Sequence, residues 1–279
     1  MYLCGQMTPN KIQHLKEVLS IPTKTYQEDL MIQYLVDYFE SKGYDYKLQE
    51  NGNIYVTKGE AEFYPCVIAH TDTVHSITDM EVREEMLPNL QGELKQSFKA
   101  YHREKGHPVG IGGDDKCGVY ACLDLLEQLP VLKVALFVSE ETGCHGSRKA
   151  DPEFFANVGY GIQFDAPENY MVTEYCWGVQ LFDRNSPFFS KVGPILEEYM
   201  GEKHQLMQHP YTDVSQVTAK FGISCINFSC GYYRYHTANE YVVIEDLFNS
   251  IEMGKAMIES LGYEKYDHKI KTERWMLFS

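Results

Sequence analysis

Five short segments of this sequence carry acidic and imidazole side chains at spacings that could do chemistry. The first is His70-Thr71-Asp72, which follows a short apolar run. A neutral imidazole is a good zinc ligand, and a carboxylate two residues later can accept a hydrogen bond from the other ring nitrogen, which fixes the tautomer. The alternative interpretation is a histidine at the end of a strand that caps a helix.

The second segment is the glycine-rich loop 112–116, GGDDK, which directly precedes an apolar helical pattern. The glycines allow a tight turn and a close approach of the backbone to a ligand. Asp114 or Asp115 would then point into a crevice, where one carboxylate can bridge two metal ions because each of its oxygens can bind one. The alternatives are a helix-capping aspartate and a phosphate-binding loop. The phosphate-binding loop is disfavoured because the Lys-Ser/Thr pair is missing and two acids would repel phosphate.

The third segment, Glu140-Glu141, follows the strongest apolar strand pattern in the chain. Two adjacent carboxylates at a strand end repel each other and lose hydration, which is unfavourable unless they have a task. One could bind a metal ion while the other moves a proton, since a metal-activated water needs a nearby base. The alternative is a solvated pair of surface glutamates.

The last two segments contain Asp165, which follows a short apolar run, and His236, which lies in a Tyr-His-Thr sequence. Alone, the first is typical of a turn and the second of a structural histidine. The order of all five segments, each at the expected end of a strand, indicates a metal site assembled from distant parts of the chain.

The elements that must position these residues can be predicted from periodicity and turn signals. Helices are expected over 8–20, 26–42, 117–128, 187–200 and 214–220, and a hairpin over 44–58 with Asn51-Gly52 in its turn. Strands are expected over 66–69, 131–138, 160–164 and 223–228, with another near 177–182. The charged stretch 76–110 is predicted to be a loop that contains two short strands.

Continuous apolar strands that alternate with helices predict an α/β fold, a mostly parallel mixed sheet with helices on both faces. Ligands bind beyond the carboxyl ends of the strands in such sheets. The length of 279 residues fits one domain, so residues 1–279 are expected to form a single domain.

The net charge of −15 disfavours nucleic acid as a partner. No apolar run is long enough to span a bilayer, and the first residues lack the pattern of a secretion signal. The eight cysteines include no CxxC pair, which disfavours a cysteine-only zinc site. A reduced, cytoplasmic protein without a membrane partner is therefore expected.

Over residues 8–260 the sequence resembles the co-catalytic zinc exopeptidase superfamily. That group includes peptidase T, glutamate carboxypeptidases, acyl-amino-acid and succinyl-diaminopimelate amidases, and the tetrahedral and leucyl zinc aminopeptidases. The early helices look most like peptidase T, and Thr212-Asp213 looks more like the tetrahedral aminopeptidases. The resemblance is carried by VIAHTDTVH (67–75), GIGGDDKCGVYACLDLL (110–126), ALFVSEETGCHGS (135–147), GIQFDAP (161–167) and YRYHTANEYV (233–242).

The resemblance implies a role for each residue of the five segments. One zinc ion would be held by His70 and Asp165, the other by Glu141 and His236, and Asp114 would bridge both. Glu140 would then be the general base, and Asp72 the carboxylate that orients the first histidine. Cobalt or manganese can occupy sites of this kind as well as zinc.

The implied function is a metal-dependent hydrolase of peptide or amide bonds, an exopeptidase on small peptides. An amidase or deacylase of acyl-amino-acid substrates and a non-catalytic metal-binding module remain alternatives. The relatives insert a lid or dimerisation domain between the ligands equivalent to Asp165 and His236, and this interval is too short here to contain one. A group that stabilises the oxyanion must then come from the catalytic domain, with the candidates Tyr211, Tyr233, Arg234, His204 and His209. Arg234 could instead bind a substrate carboxylate or a local acid.

Overall fold

The computed structural model describes residues 7–76, 78–201, 204–209 and 211–269. Two helices open this part of the chain, α1 (Pro9–Leu19) and α2 (Asp29–Lys42). Helix α2 ends as predicted at Gly43, whose φ of 69° is left-handed. It begins three residues later than predicted because 24–27 form a turn that brings the Thr25 hydroxyl 2.8 Å from an Asp72 carboxylate oxygen.

A nine-stranded mixed sheet forms the centre of the described structure. Its order is β1-β2-β7-β3-β8-β12-β9-β10, and β11 pairs with β9. The bounds are β1 (Asp45–Leu48), β2 (Ile54–Lys58), β3 (Tyr64–His70), β7 (Leu132–Phe137), β8 (Val158–Ala166), β9 (Met171–Cys176), β10 (Val179–Gln180), β11 (Gln205–His209) and β12 (Cys225–Ser229).

The predicted α/β fold is confirmed, with four parallel strands side by side in the middle of the sheet and a further parallel pair, β11 with β9, outside them. Strands β7, β3, β8 and β12 run parallel to one another, whereas β1, β2 and β10 pair antiparallel with their neighbours. The four central strands are buried along their whole length, which explains their continuous apolar sequences.

Helices cover both faces of the sheet. The remaining helices are α3 (Gly113–Gln128), α4 (His145–Arg148), α5 (Pro152–Phe155), α6 (Pro187–Met200), α7 (Asp213–Phe221) and α8 (Ile244–Leu261). On β8 the Gln163 side chain accepts a hydrogen bond from Val214 of α7, whereas the next residue, Phe164, packs against Gly254 of α8. Successive strand side chains point to opposite faces, so α7 and α8 lie on opposite sides.

The prediction for residues 76–110 was wrong in its extent. This stretch forms two nine-residue strands, β4 (Met80–Pro88) and β5 (Leu94–His102), followed by the short β6 (Pro108–Val109). With β13 (Tyr232–Tyr233) and β14 (Tyr241–Val243) they make a second, five-stranded sheet. The hairpin buries few side chains, chiefly Met80, Val82, Phe98 and Ala100, so its apolar alternation was too short to indicate long strands.

No helix within the described ranges is long and apolar enough to cross a membrane.

Candidate active site

The five segments converge at the carboxyl ends of the central strands, as the parallel arrangement requires. His70 is the last residue of β3, and Glu140 and Glu141 lie in the loop after β7. Asp165 lies inside β8 instead of after it, because that strand continues to Ala166. His236 lies in the loop between β13 and β14.

Two groups of potential metal ligands share one residue. In the first, the His70 Nε2 atom lies 3.2 Å from Asp114 Oδ1 and 3.6 Å from Asp165 Oδ1. In the second, the His236 Nε2 atom lies 3.3 Å from Asp114 Oδ2 and 3.0 Å from Glu141 Oε2. The potential ligand atoms of each group lie within 4.8 Å of one another. The two oxygens of Asp114 therefore face two different imidazoles.

The neighbouring Asp115 points elsewhere. Its carboxylate accepts hydrogen bonds from the backbone N–H groups of His70 and Gly118, each at 3.1 Å. Both aspartates have non-helical backbone angles inside α3, so their side chains diverge. The loop reaches this position through Gly112, whose φ is 69° and where a Cβ would lie 2.7 Å from the Thr73 side chain. Of the two aspartates that the loop pattern offers, the structure brings Asp114 between the histidines, and this is the one that the resemblance implied.

Asp72 links the first histidine to the loop that carries both glutamates. One of its oxygens lies 3.3 Å from His70 Nδ1, although the Asp72 backbone oxygen is nearer, at 3.0 Å. The same carboxylate accepts from the backbone N–H groups of Glu140 at 2.9 Å and Glu141 at 3.3 Å. Asp72 therefore orients the imidazole and the glutamate loop together.

Glu140 lies beside the two ligand groups without belonging to either. Its Oε2 atom is 3.8 Å from His70 Nε2, and its Oε1 atom accepts a weak hydrogen bond from the Cys144 thiol at 3.5 Å. Only 5% of the residue is exposed. Burial raises the pKa of this carboxyl group, and the nearby carboxylates of Asp165, Asp213 and Asp114 add to the rise.

The titration of the other site residues reflects buried acids crowded around two imidazoles. Burial raises the pKa of Asp165 to about 8. Hydrogen bonds to Asp114 and Glu141 raise the pKa of His236 to about 10. Burial alone would lower the pKa of His70, but its acidic partners outweigh burial and hold that pKa well above its usual value. Contacts with the same two imidazoles lower the pKa of Asp114, so the charge of the cluster is shared between a carboxylate that stays ionised and neighbours that hold their protons more tightly.

The donor set fits divalent metal ions. Imidazole nitrogens and carboxylate oxygens are the ligands that zinc, cobalt and manganese accept. Each group offers one nitrogen and at least two carboxylates, and metal ions would relieve the repulsion between those buried charges. His70, Asp114 and Asp165 could hold one ion, and Asp114, Glu141 and His236 could hold the other.

Two residues near this site, Asp213 and Tyr232, were not assigned a role from the sequence. Asp213, the first residue of α7, is completely buried, and burial raises its pKa to about 7. In the sequence, Asp213 is marked only by the resemblance of Thr212-Asp213 to the tetrahedral aminopeptidases. The Tyr232 hydroxyl donates to Asp165 at 3.4 Å. Neither residue had a signal in the sequence beyond its presence near a motif.

A cavity of about 230 Å³ opens over the ligand groups. Its floor is acidic, and apolar and aromatic side chains form much of its wall. No lysine or arginine in the described part of the chain lines it. Its wall includes Pro167, Met171, Met207, Gln208, His209, Tyr211, Tyr232 and Tyr235.

The five candidates for oxyanion stabilisation separate by position. His209 and Tyr211 line this cavity. His204 lines a separate, larger cavity of about 510 Å³. Tyr233 is buried and donates a 2.5 Å hydrogen bond to Asp246, and Arg234 is exposed and does not line the cavity.

No family model matches the chain. The cytosol non-specific dipeptidase of Escherichia coli is 26% identical over 161 residues, which is 51% of this chain but only 30% of that protein. The Bacillus cereus aminopeptidase PepT superimposes with a TM-score of 0.72 and 14% identity, covering 90% of this chain and 98% of that structure. A Staphylococcus aureus tripeptidase gives a TM-score of 0.69 and 15% identity, covering 89% and 97%.

The Pyrococcus horikoshii TET1 peptidase, which can assemble into a tetrahedron or an octahedral shell, gives a TM-score of 0.62 and 16% identity over 88% of this chain and 98% of that one. These likenesses confirm the fold that the sequence resemblance implied. The chain has the α/β fold of the peptidase T and tetrahedral aminopeptidase structures.

Proposed function

We propose that this protein is a metal-dependent exopeptidase that hydrolyses small peptides at a two-metal centre. One observation carries the proposal. The two oxygens of Asp114 lie 3.2 Å and 3.3 Å from the Nε2 atoms of His70 and His236, and each imidazole has a further carboxylate beside it. A carboxylate shared in this way is the arrangement that a bridging ligand of two ions requires.

In this proposal the chain supplies two ligand sets and one base. His70, Asp114 and Asp165 hold one ion, and Asp114, Glu141 and His236 hold the second. Bound divalent cations would supply Lewis acidity, which polarises a substrate carbonyl and makes a water molecule more acidic. Zinc is the expected metal, and cobalt and manganese accept the same donors.

Glu140 is the proposed general base. It lies in the cavity beside both ligand groups and belongs to neither, so its carboxylate is available to take a proton from the attacking water. The same group can then deliver that proton to the leaving amine. Burial holds the pKa of this carboxyl above its usual range, nearer the value at which a group both accepts and donates protons.

The side chains that line the cavity favour a substrate with a free amino terminus over one that must present a carboxylate. Its floor contains Asp114, Glu140, Glu141 and Asp165, and no described lysine or arginine lines it to receive a substrate carboxylate. Two bound divalent cations would balance these four carboxylates, so the preference rests on the missing cationic side chain. The carboxylate of a carboxypeptidase substrate or an acyl-amino acid would have no lysine or arginine partner there, whereas an amino terminus needs none. We therefore favour an aminopeptidase over the amidase alternative.

We also propose that the chain is one catalytic domain without an inserted lid. The interval between Asp165 and His236 contributes β9, β10, β11 and β12 to the main sheet, and α6 and α7 pack within the same structure. A cytoplasmic location is supported by the cysteines, since those that the structure describes are buried and form no disulfide among themselves.

The test is metal analysis of the purified protein together with cleavage of paired dipeptides that differ only in N-terminal acetylation. We expect close to two metal ions per chain, cleavage of the free-amine member of each pair, and loss of cleavage with a chelator. Preference for the acetylated member would favour an amidase. Metal binding without hydrolysis of any amide would favour the non-catalytic module and contradict the proposal.

A further inference from the structure

We infer that Glu240 is a positioning residue that, together with His75, sets the location of Asp114 for both metal sites at once. The inference rests on the proposed two-metal centre and concerns residues that none of the assigned roles uses. Both lie inside motifs of the sequence, His75 five residues after His70 and Glu240 four residues after His236.

Glu240 binds the backbone of the loop that carries Asp114. One of its carboxylate oxygens accepts from the Gly112 N–H at 2.9 Å, and the other accepts from the Asp114 N–H at 3.1 Å. The side chain is completely buried. The two oxygens of one buried carboxylate therefore bind the backbone on both sides of Gly113. They fix the position and the orientation of the backbone that carries Asp114.

His75 forms a hydrogen bond with the Glu240 carboxylate and so helps to hold it in place. Its Nε2 atom lies 2.7 Å from the Glu240 oxygen that also binds Gly112. Its ring packs directly on the backbone of Gly110, where a Cβ atom would come within 2.0 Å of a ring atom. The imidazole therefore holds the carboxylate in place and lies flat against the approach to the same loop.

These contacts join the three segments that carry the shared ligand and both histidines. Glu240 belongs to the segment of His236, His75 belongs to the segment of His70, and both meet at the loop of Asp114. Because each Asp114 oxygen serves a different ligand group, a displacement of this loop changes both groups together. Hydrogen-bonding partners behind metal ligands typically change metal affinity by about 10–100-fold when they are removed.

If Glu240 had a purely structural role, its substitution would have a different effect. Glu240 accepts from backbone groups at the start of α3, so it could simply cap that helix and stabilise the fold. Such a cap would change the stability of the metal-free protein and leave its metal affinity unchanged. The two roles are therefore separated by measuring both quantities on the same variants.

The test compares Glu240→Gln with a matched control, Asp151→Asn. Asp151 is also a buried carboxylate that accepts from a backbone N–H, that of Glu153, and binds a cation, Lys47, but its contacts lie outside the metal site. Each substitution keeps the shape of the side chain and replaces one acceptor oxygen with an NH₂ group. Zinc dissociation constants are measured by chelator competition, and thermal midpoints are measured on the metal-free proteins.

For Glu240→Gln we expect zinc dissociation constants about 10–100-fold higher than in the wild type. Asp151→Asn should bind zinc like the wild type, even if its thermal midpoint falls. His75→Ala should weaken zinc binding in the same direction, and His75→Gln should recover part of the loss because it retains an N–H donor. These His75 variants keep the test decisive if Glu240→Gln does not fold.

Zinc affinity within twofold of the wild type in a folded Glu240→Gln or His75→Ala protein would overturn the inference. The proposed function fails in a different way, through a wild-type protein that binds no metal or cleaves no peptide. A wild type that binds two ions alongside unaffected variants would remove only the role of Glu240.

Discussion

Exchanging the carboxylate of Asp114 or of Asp115 for an amide should have different consequences for metal binding, although the two residues are adjacent and both buried. Asp114→Asn removes a charged oxygen that faces an imidazole 3.2 Å or 3.3 Å away. Asp115→Asn instead leaves one backbone N–H, of His70 or of Gly118, without an acceptor. The first change should therefore affect metal binding, whereas the second should affect only folding.

The expected sizes follow from these contacts. An amide nitrogen cannot bind a metal ion, so Asp114→Asn should lose at least one of the two ions. At a free metal concentration about 1,000 times the dissociation constant, each bound ion stabilises the folded state by about 4 kcal/mol. At about 2–4 °C per kcal/mol, the metal-dependent rise in the thermal midpoint should shrink by about 8–16 °C for each site lost.

The metal-free Asp114→Asn protein should be less stable than the metal-free wild type at neutral pH, because the contacts with His70 and His236 lower the pKa of Asp114 and so stabilise its charged form in the folded state. The zinc-dependent rise above that lower midpoint is therefore the quantity that reports the metal site. Asp115→Asn should bind two ions but unfold more easily, since an unsatisfied buried N–H costs about 1–3 kcal/mol. The assay is thermal unfolding of both variants with zinc and with a chelator, together with metal analysis. Two bound ions and an undiminished zinc-dependent rise in Asp114→Asn would refute the bridging geometry.

Three further predictions concern chemistry and protonation. Glu140→Gln should lower kcat by about 10²–10⁴-fold while metal content stays near two ions per chain; wild-type turnover would exclude this residue as the base. His209→Ala should lower kcat by about 10²–10³-fold with little change in KM if its ring stabilises the oxyanion, whereas His204→Ala, in the separate cavity, should leave kcat unchanged. Zinc binding at pH 7 should release protons, because Asp165 with a pKa of about 8 and His236 with a pKa of about 10 are protonated in the metal-free protein and must lose those protons to bind. Calorimetry in buffers of different ionisation enthalpy measures this release, and a binding enthalpy independent of the buffer would contradict it.

The long antiparallel hairpin of β4 and β5 is an element whose length could not be predicted from the sequence pattern. Strand patterns are readable when burial imposes them, as in β3 and β7, whose residues are all buried. The hairpin is largely exposed, and Met86 and Leu94 are 58% and 63% exposed. Its pairing comes from backbone hydrogen bonds along nine registered positions, which leave little trace in side-chain type.

The loop that carries Asp114 also has features that the local sequence pattern does not reveal. The local pattern of two aspartates after two glycines does not distinguish them, because neighbouring residues in a loop have no fixed periodicity, and only the family resemblance favoured Asp114. The distinction arises when Asp115 binds the backbone of His70, 45 positions away in sequence. Glu240 stands 126 positions from the backbone group that it binds, so no local pattern could have assigned its task.

The order of ligand types along the chain and the apolar strands that precede them are properties of the sequence itself. They follow from local chemistry, because buried strands require apolar residues and divalent metal ions bind to imidazoles and carboxylates. Folding decides which oxygen faces which imidazole, which of two adjacent aspartates is shared, and which distant carboxylate holds that residue in place. Those outcomes depend on distances of about 3 Å between atoms that the chain separates by tens of residues, and only the packed sheet and its loops set such distances.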